Sequence, residues 1–580
     1  MKIRKLEIRN FRGIREATWS ITGNLIALVG PGDSTKTTLL DALGLVLSPS
    51  HSPTITDADF YGLDTTRDID IRVVVTELPS ALITEKQLGK HRSGLKGEEI
   101  VHDPLDEAVE CLYIRLRVSS DLEPTWEVIR PGEEEGRPIS AYQRRQLGFM
   151  RLGDRSELHL RWARGSALST LTDGASGAGI AMLDAQRKAR EAVSKSAVKP
   201  LEDAASEAKQ AASEFGVADY GDLRPGLEPS SATSSYSLIL HDSDIPLSNY
   251  GLGTRRLTGL AIQDKAVGDG AIIAVDEIEH GLEPHRLVYT LRHLKQRAEK
   301  GDIQTILTTH SPVAVQTLEA SDFTVVRSSE YGLTECRPVP ATLSGAQGAF
   351  RGAPAALLAR KVVVAEGATE IGFLRGVIAR WDPDRLNEGL STSAALGVAV
   401  VDGGGSTFGN RASAFNALGY RTLLAIDNDA RDVDAKVKAL TDTGVELARC
   451  SQDRSLEQEL VFSLTESGLQ QLIEFAVALR GEQSVRSSVE AQLGSVSLSG
   501  NQVADWLSTV DNDWPRLRNG IGLAAKKKEW FKRNALGEEL ANTLFEHLPE
   551  PDINGSGLSL WLAKIRTFIY SRGAGDSGQS

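Results

Sequence analysis

Two carboxylates, Asp427 and Asp429, close the apolar run in Arg421–Arg431, RTLLAIDNDAR. With one residue between them they point to the same side of an extended backbone. Two converging negative charges repel unless a cation sits between them, and hard oxygen donors suit Mg2+ or Mn2+. The competing reading is a polar turn, since Asp and Asn close many strands. Two further acidic groups stand at the ends of apolar runs: Glu366 and Glu370 around Gly367 after KVVVA, and Asp402 before three glycines after Val398–Val401. The stretch Ser455–Leu460, SLEQEL, adds Glu457, and Lys526–Arg533, KKKEWFKR, supplies a basic run with two aromatics. Such a run is either a solvated helix end or a phosphate contact that Trp530 and Phe531 hold in place by packing.

A second chemistry lies near the N-terminus. Leu25–Val29 is an apolar run followed by Gly30-Pro31-Gly32-Asp33-Ser34-Thr35-Lys36-Thr37 and a helical stretch from Thr38. This is the strand, loop and helix order of a phosphate-binding loop. Backbone N–H groups and a helix N-terminus face the phosphates, Lys36 reaches the outer ones, and the Thr37 hydroxyl reaches Mg2+. Thr35 stands where the pattern has its second glycine, and a β-branched residue there strains or narrows the loop. Farther along, Ala271–Val275 ends in Asp276-Glu277, and Gln304–Thr309 ends at His310-Ser311-Pro312.

The elements that position these groups are short, continuously apolar strands, the mark of a parallel sheet buried on both faces. In such sheets sites form at the carboxyl ends of strands. A chain of 580 residues is too long for one core at roughly 100 to 200 residues per domain. Cys111, Cys336 and Cys450 lie far apart without metal-ligand spacing, which argues against disulfide scaffolds and zinc modules. No apolar run reaches membrane-spanning length, so the expectation is a cytoplasmic protein without a membrane segment. The net charge of −13 speaks against a nonspecific nucleic-acid coat protein but permits a local basic groove. Residues 181–215, rich in Ala, Lys, Glu and Gln, have the composition of exposed helix, which Pro200 should divide in two. Thr465–Ala504 is mostly helical in pattern, an insertion whose role is not readable.

The opening NFRGI, the phosphate loop, Pro246–Arg256, Asp276-Glu277 and His310 together resemble the ABC-type ATPase head of structural-maintenance-of-chromosomes and RecF-like proteins. The resemblance implies an ATP site with Lys36 and Thr37 on phosphate and Mg2+, Asp276 on Mg2+, Glu277 as the base orienting water and His310 as γ-phosphate sensor. Ser248, Gly251 and Gly253 would be the signature segment that completes the site of a second head, so a homodimer is implied. The family's glutamine loop is not identifiable. The acidic strand ends in the order Glu, Asp-Gly, Asp-x-Asp resemble a Toprim domain. An ABC head followed by VAEGATE, IDNDA, LEQEL and KKKEWFK is similar to the overcoming-lysogenization-defect (OLD) family of nucleases, which includes the Gabija defence nucleases.

That resemblance implies an α/β fold: an ATPase head (1–175 and 236–350) with a helical dimerisation arm (176–235), then a Toprim nuclease domain (351–580) with an insertion at about 465–510. Glu366, Glu370, Asp427, Asp429 and Glu457 would bind two divalent metals, and Lys527 or Lys528 would stabilise the pentavalent phosphate. The expected activity is ATP-regulated endonuclease cleavage of double-stranded DNA in anti-phage defence, with a helicase encoded nearby as partner and a tetramer left open. The competing functions are a RecF-like DNA-binding ATPase whose Toprim fold only docks, and a topoisomerase, for which no tyrosine-bearing partner domain is identifiable.

Overall fold

The computed structural model describes residues 1–48, 53–84, 87–104, 107–133, 135–152, 159–162, 166–171, 199–216, 220–227, 238–266, 270–329, 331–428, 433–494 and 496–571. The chain divides into two compact units, Met1–Val339 and Pro340–Ser580.

The first unit is built on a mixed sheet of fourteen strands among the described residues. Leu25–Val29, Ala271–Val275 and Ile303–Thr308 are buried along their whole length. Ile303–Thr308 pairs in parallel with each of the other two, so the apolar runs are strands of a sheet covered on both faces. On the other side the sheet continues through Phe323–Ser328 and Leu333–Pro338 into an antiparallel wing that includes Lys2–Phe11 and Ile69–Thr76.

The helix expected to be exposed differs from that expectation. Lys199–Glu214 buries Leu201, Ala204, Ala205, Ala208, Ala211 and Ala212 and packs against the helix Leu252–Ala266. Small residues at helical spacing form a stripe that lets two backbones approach, so an alanine-rich composition here serves packing. Pro200 lies in the first turn of this helix, where its missing N–H costs nothing. Residues 181–198 of the expected hairpin lie outside the described residues.

The second unit is α/β, with four parallel strands in the order Val398–Asp402, Lys361–Ala365, Arg421–Ile426, Glu446–Arg449. Side chains alternate between the faces: Val363, Ala365, Leu423 and Ala425 join a core with the helices Ala368–Asn387, Leu456–Ser463 and Gly557–Tyr570. The helices Phe408–Ala417 and Asp434–Asp442, packed on each other, lie on the opposite face. The helix after Lys361–Ala365 therefore covers one face and the helix after its neighbour Arg421–Ile426 covers the other. That is a topological switch point, and the crevice it opens at the carboxyl ends of these two strands is where open α/β sheets bind ligands. The stretch 465–510 contains the helices Glu466–Arg480, Glu482–Leu493 and Val503–Thr509.

Candidate functional site

At the switch point the strand Lys361–Ala365 delivers Glu366, and the next helix carries Glu370 in its first turn. Gly367 between them has no Cβ, and one placed there would lie 3.1 Å from Glu370 Oε2. The glycine thus lets the Glu370 carboxyl fold back over the turn. Asp427 ends the neighbouring strand, and its N–H donates to Glu366 Oε2 at 3.0 Å. Asp427 Oδ1 in turn accepts from the backbone N–H of Leu456 at 2.9 Å. The next residue, Glu457, is buried and accepts from the Ser455 hydroxyl at 2.9 Å. Backbone donors thereby link Glu366, Asp427 and the start of the helix that carries Glu457, and a hydroxyl fixes Glu457 itself. Asp429 lies outside the described residues.

Electrostatics agrees with this placement. The Glu370 carboxyl, only 6% exposed, is pushed up to about 8, first by burial and then by the charges of Glu457 and Glu366. A carboxyl that holds its proton because it is buried, and then because its neighbours are negative, is a group that a cation would relieve. Beneath it, Cys450 is held far above the usual thiol range by burial, with Asp427, Glu459, Glu370 and Glu457 adding to the shift. Glu459 is different in kind: fully buried, it accepts from Ser451 N–H at 2.7 Å and from the Ser451 hydroxyl at 3.1 Å, with Arg454 at 3.4 Å. It braces the loop 451–455 and leaves its neighbour Glu457 to face the crevice. The hard-oxygen donor set fits divalent metal in kind. Among the described residues, no three such side chains close on a single point.

The basic run is split by its aromatics. Lys527 ends a helix and donates to Gln492 Oε1 at 2.8 Å, and Lys528 is its exposed cap. Trp530 and Phe531 are buried, with Phe531 stacked on Phe475 at 5.7 Å. Lys532, past them, has its pKa raised first by a hydrogen bond to Glu529, with the charges of Glu457 and Glu370 adding to it. Close packing explains this. A Cβ on Gly372 would lie 2.1 Å from Asn534 O, and one on Gly537 would lie 2.5 Å from Thr369 O. These glycines draw the segment after Lys532 against the first turns of the helix that carries Glu370. Lys532 lies inside the basic run that the sequence marked but is not one of the lysines it favoured; the signal for it was the glycine spacing in two helices not known to touch.

In the first unit, Gly30 has φ 144° and a Cβ there would fall 2.3 Å from Val326 O, so glycine is required. A Cβ on Gly32 meets nothing within 4 Å. The Lys36 ammonium is folded into the loop, donating to Pro31 O at 2.8 Å, Ser34 Oγ at 3.0 Å and Gly30 O at 3.2 Å. Burial pulls its pKa down to about 8, against the raising charges of Asp33 and Asp276. Thr37 Oγ1 donates to Asp276 Oδ1 at 3.2 Å, and Thr308 Oγ1 donates to the same oxygen at 2.6 Å. Thr38 is half-buried in the first helical turn.

Glu277 adopts φ 45°, held by its N–H donating to Thr308 Oγ1 at 2.7 Å, which turns its carboxylate outward. His310 is pulled down from its ordinary value by burial and by Lys36. Its N–H donates to Glu279 Oε1 at 2.6 Å. Ser248 lies in a short 3-10 turn, Gly251 precedes the helix Leu252–Ala266, and a Cβ on Gly253 would fall 2.3 Å from Gly281 O. Arg256 on that helix donates to Asp276 O at 2.5 Å and Glu277 O at 2.7 Å. The signature segment and the Asp276 strand end are thus fastened together, and Glu279 and Arg256 are supports that the sequence did not single out.

Residues 25–316 match the family described as "AAA domain, putative AbiEii toxin, Type IV TA system". Residues 357–429 match "Overcoming lysogenization defect protein-like, TOPRIM domain". Among curated proteins the chain is similar to the OLD nuclease of Thermus scotoductus, with 27% identity over 336 residues, covering 54% of this chain and 59% of that protein. The chain thus spans 59% of that relative's length. Among solved structures it is similar to an SMC head bound to the C-winged helix domain of ScpA, at 16% identity and a TM-score of 0.38, covering 59% of this chain and 98% of that one. A second is the SMC head domain from Thermotoga maritima, at 14% identity and a TM-score of 0.31, covering 59% of this chain and 100% of that one.

Proposed function

Because the chain belongs to the AAA-domain family over residues 25–316 and joins to it an OLD-like Toprim domain at 357–429, we propose that it is a divalent-metal-dependent DNA endonuclease under the control of ATP. The observation that carries the reading is the grouping of Glu366, Glu370, Asp427 and Glu457 at the switch point, where burial first, and then the charges of Glu457 and Glu366, push the Glu370 pKa up. A docking surface has no need of a buried carboxyl at that cost.

In this reading Glu366, Glu370, Asp427 and Glu457, with Asp429, hold two metal ions. Bound divalent metal supplies polarisation of the phosphate and activation of a water nucleophile. The chain's own groups do the positioning. Leu456 N–H and Glu366 orient Asp427, Ser455 orients Glu457, and Lys532 offers positive charge to the phosphate where Lys527 is turned toward Gln492. In the first unit Lys36 and Thr37 take the ATP phosphates, and Asp276 takes its Mg2+. Glu277 orients water, and Ser248, Gly251 and Gly253 face a second head in a homodimer. A role in defence against phage follows from the OLD resemblance. No helix among the described residues is long and apolar enough to cross a membrane.

Supercoiled plasmid incubated with the protein and Mg2+ or Mn2+ tests the reading. Nicked and linear products are expected, lost in EDTA and in Asp427→Ala. Intact plasmid under every metal, or an Asp427→Ala variant that cuts as well as the parent, would reject it.

A further inference from the structure

The acids at the switch point have cations on both faces of the sheet. On one face stands Lys532, paired with Glu529 and within electrostatic reach of Glu457 and Glu370. On the opposite face two basic side chains, Lys436 and Arg411, converge on the glycine turn 403–406, and nothing in the proposed chemistry uses them. The turn is pressed against the acidic strand end: Gly403 N–H donates to Ala365 O at 2.6 Å and Gly405 N–H donates to Glu366 O at 2.9 Å. A Cβ on Gly403 would lie 2.5 Å from Ala365 O, so only glycine permits this approach. The crest of the turn is open, because a Cβ on Gly405 would meet nothing within 4 Å.

Lys436 reaches that turn by lying across Gly409, where a Cβ would fall 2.1 Å from its Cε. Its ammonium donates to Ser406 O at 3.1 Å and sits 5.0 Å from the centre of the Phe408 ring. Arg411 donates to Asp402 O, and its guanidinium borders Gly404. Neither side chain makes an ion pair among the described residues. Their neighbours do: Lys438 pairs with Asp442 at 3.1 Å and Arg449 with Asp434 at 2.6 Å. Two cations with no acidic partner among the described residues thus stand beside an acid cluster in a chain of net charge −13. At about 3.8 Å per residue step, Ser406 places the Lys436 ammonium within roughly 10 Å of Glu366.

We infer that Lys436 and Arg411 are a second phosphate-binding wall, which grips the backbone of duplex DNA beside the cleavage point and on the face opposite Lys532. Resting on the nuclease reading above, the wall answers an electrostatic difficulty that the acids create. A polyanion approaching a carboxylate cluster is repelled except where metal or fixed cations meet it, and phosphate contacts set the register of the duplex. Both side chains lose little on engaging DNA, since each now bonds to one backbone carbonyl.

The test is fluorescence anisotropy of a labelled duplex in EDTA, so that binding is read without cleavage, across a series of salt concentrations. Lys436→Gln and Arg411→Gln should each weaken binding several-fold and lower the salt slope by about 1, while Lys436→Arg retains most of the affinity. Where the parent cuts DNA, the Gln variants should raise KM more than they lower kcat. Unchanged affinity and slope in the doubly substituted protein, or a parent that binds no duplex, would overturn the inference. A parent that binds duplex but does not cut it under any metal would reject the nuclease reading, and the anisotropy series would still decide the role of Lys436 and Arg411.

Discussion

The phosphate loop and the acidic crevice meet opposite problems with the same architecture. Each lies at the carboxyl ends of buried parallel strands, one designed around an anion and the other around cations. In the loop a single ammonium, Lys36, is buried among carbonyls and its pKa falls to about 8. In the crevice a single carboxyl, Glu370, is buried among carboxylates and its pKa rises to about 8. Burial drives both shifts, in the direction that neutralises the group. The difference lies in the company: Lys36 has three oxygen acceptors, whereas Glu370 faces like charge. The loop is therefore complete without its ligand, and the crevice is not.

The largest expected effect comes from separating the two sites. Glu370→Gln should abolish metal-dependent cleavage by more than the roughly 10- to 100-fold that supporting residues around a metal cost, and leave nucleotide affinity as in the parent. Lys36→Ala should abolish nucleotide binding, read by calorimetry, and leave the Mn2+ affinity of the second unit intact. If Glu370→Gln loses nucleotide or Lys36→Ala loses metal, the two sites are not the independent solutions that their geometry describes.

A smaller effect separates the sites by pH. In the folded chain Glu370 keeps its proton to about 8, against an ordinary value of 4.5. Between those values the folded state binds more protons than the unfolded one, so stability in EDTA falls as pH rises through that window. Divalent metal competes with the proton and should flatten or reverse the trend. Lys36 has the opposite sign: its folded pKa lies below the ordinary 10.5, so its contribution to stability rises with pH from about 8 upward. Melting curves across pH with and without Mn2+, on the parent and on Glu370→Gln, check the assignment. A metal-free stability that is flat from pH 5 to 8 in the parent would remove Glu370 as the titrating group.

The comparison also shows what was legible in the sequence. The α/β class and the parallel sheet were, because apolar runs that stop abruptly at acids or glycines leave few other folds. Glu366, Glu370 and Asp427 could be named because each sits at the end of such a run or in the first helical turn after it, and Glu457 because its motif resembles that of the OLD family. Lys532 was marked only as part of a basic run and could not be singled out, since its place depends on Gly372 and Gly537 touching across two helices separated by much of the domain. Arg256 and Glu279 were hidden for a similar reason: they support the nucleotide site through backbone atoms, which no residue pattern marks. The alanines of Lys199–Glu214 were legible as helix but not as contact, because alanine suits a solvated face and a tight interface equally well.

The smallest effect concerns the one residue that departs from the phosphate-loop pattern. Thr35 holds φ 61° and ψ 16°, a left-handed conformation that costs a non-glycine residue about 1–2 kcal/mol. Its hydroxyl offsets that cost, lying 3.0 Å from Ser328 Oγ and 3.0 Å from Thr334 Oγ1, and 2.7 Å from Ser34 O. The threonine therefore fastens the loop to two strands nearly three hundred residues on, which a glycine could not do. Thr35→Gly removes strain and tether together, so the net change in stability should be within about 1 kcal/mol, and nucleotide affinity should be retained or tightened as the loop opens for phosphate. Thr35→Val keeps the strain and the branched shape while deleting the hydroxyl, and should be the less stable of the two by melting temperature. If Thr35→Val melts with the parent, the hydroxyl tether contributes nothing and the loop is held by its backbone alone.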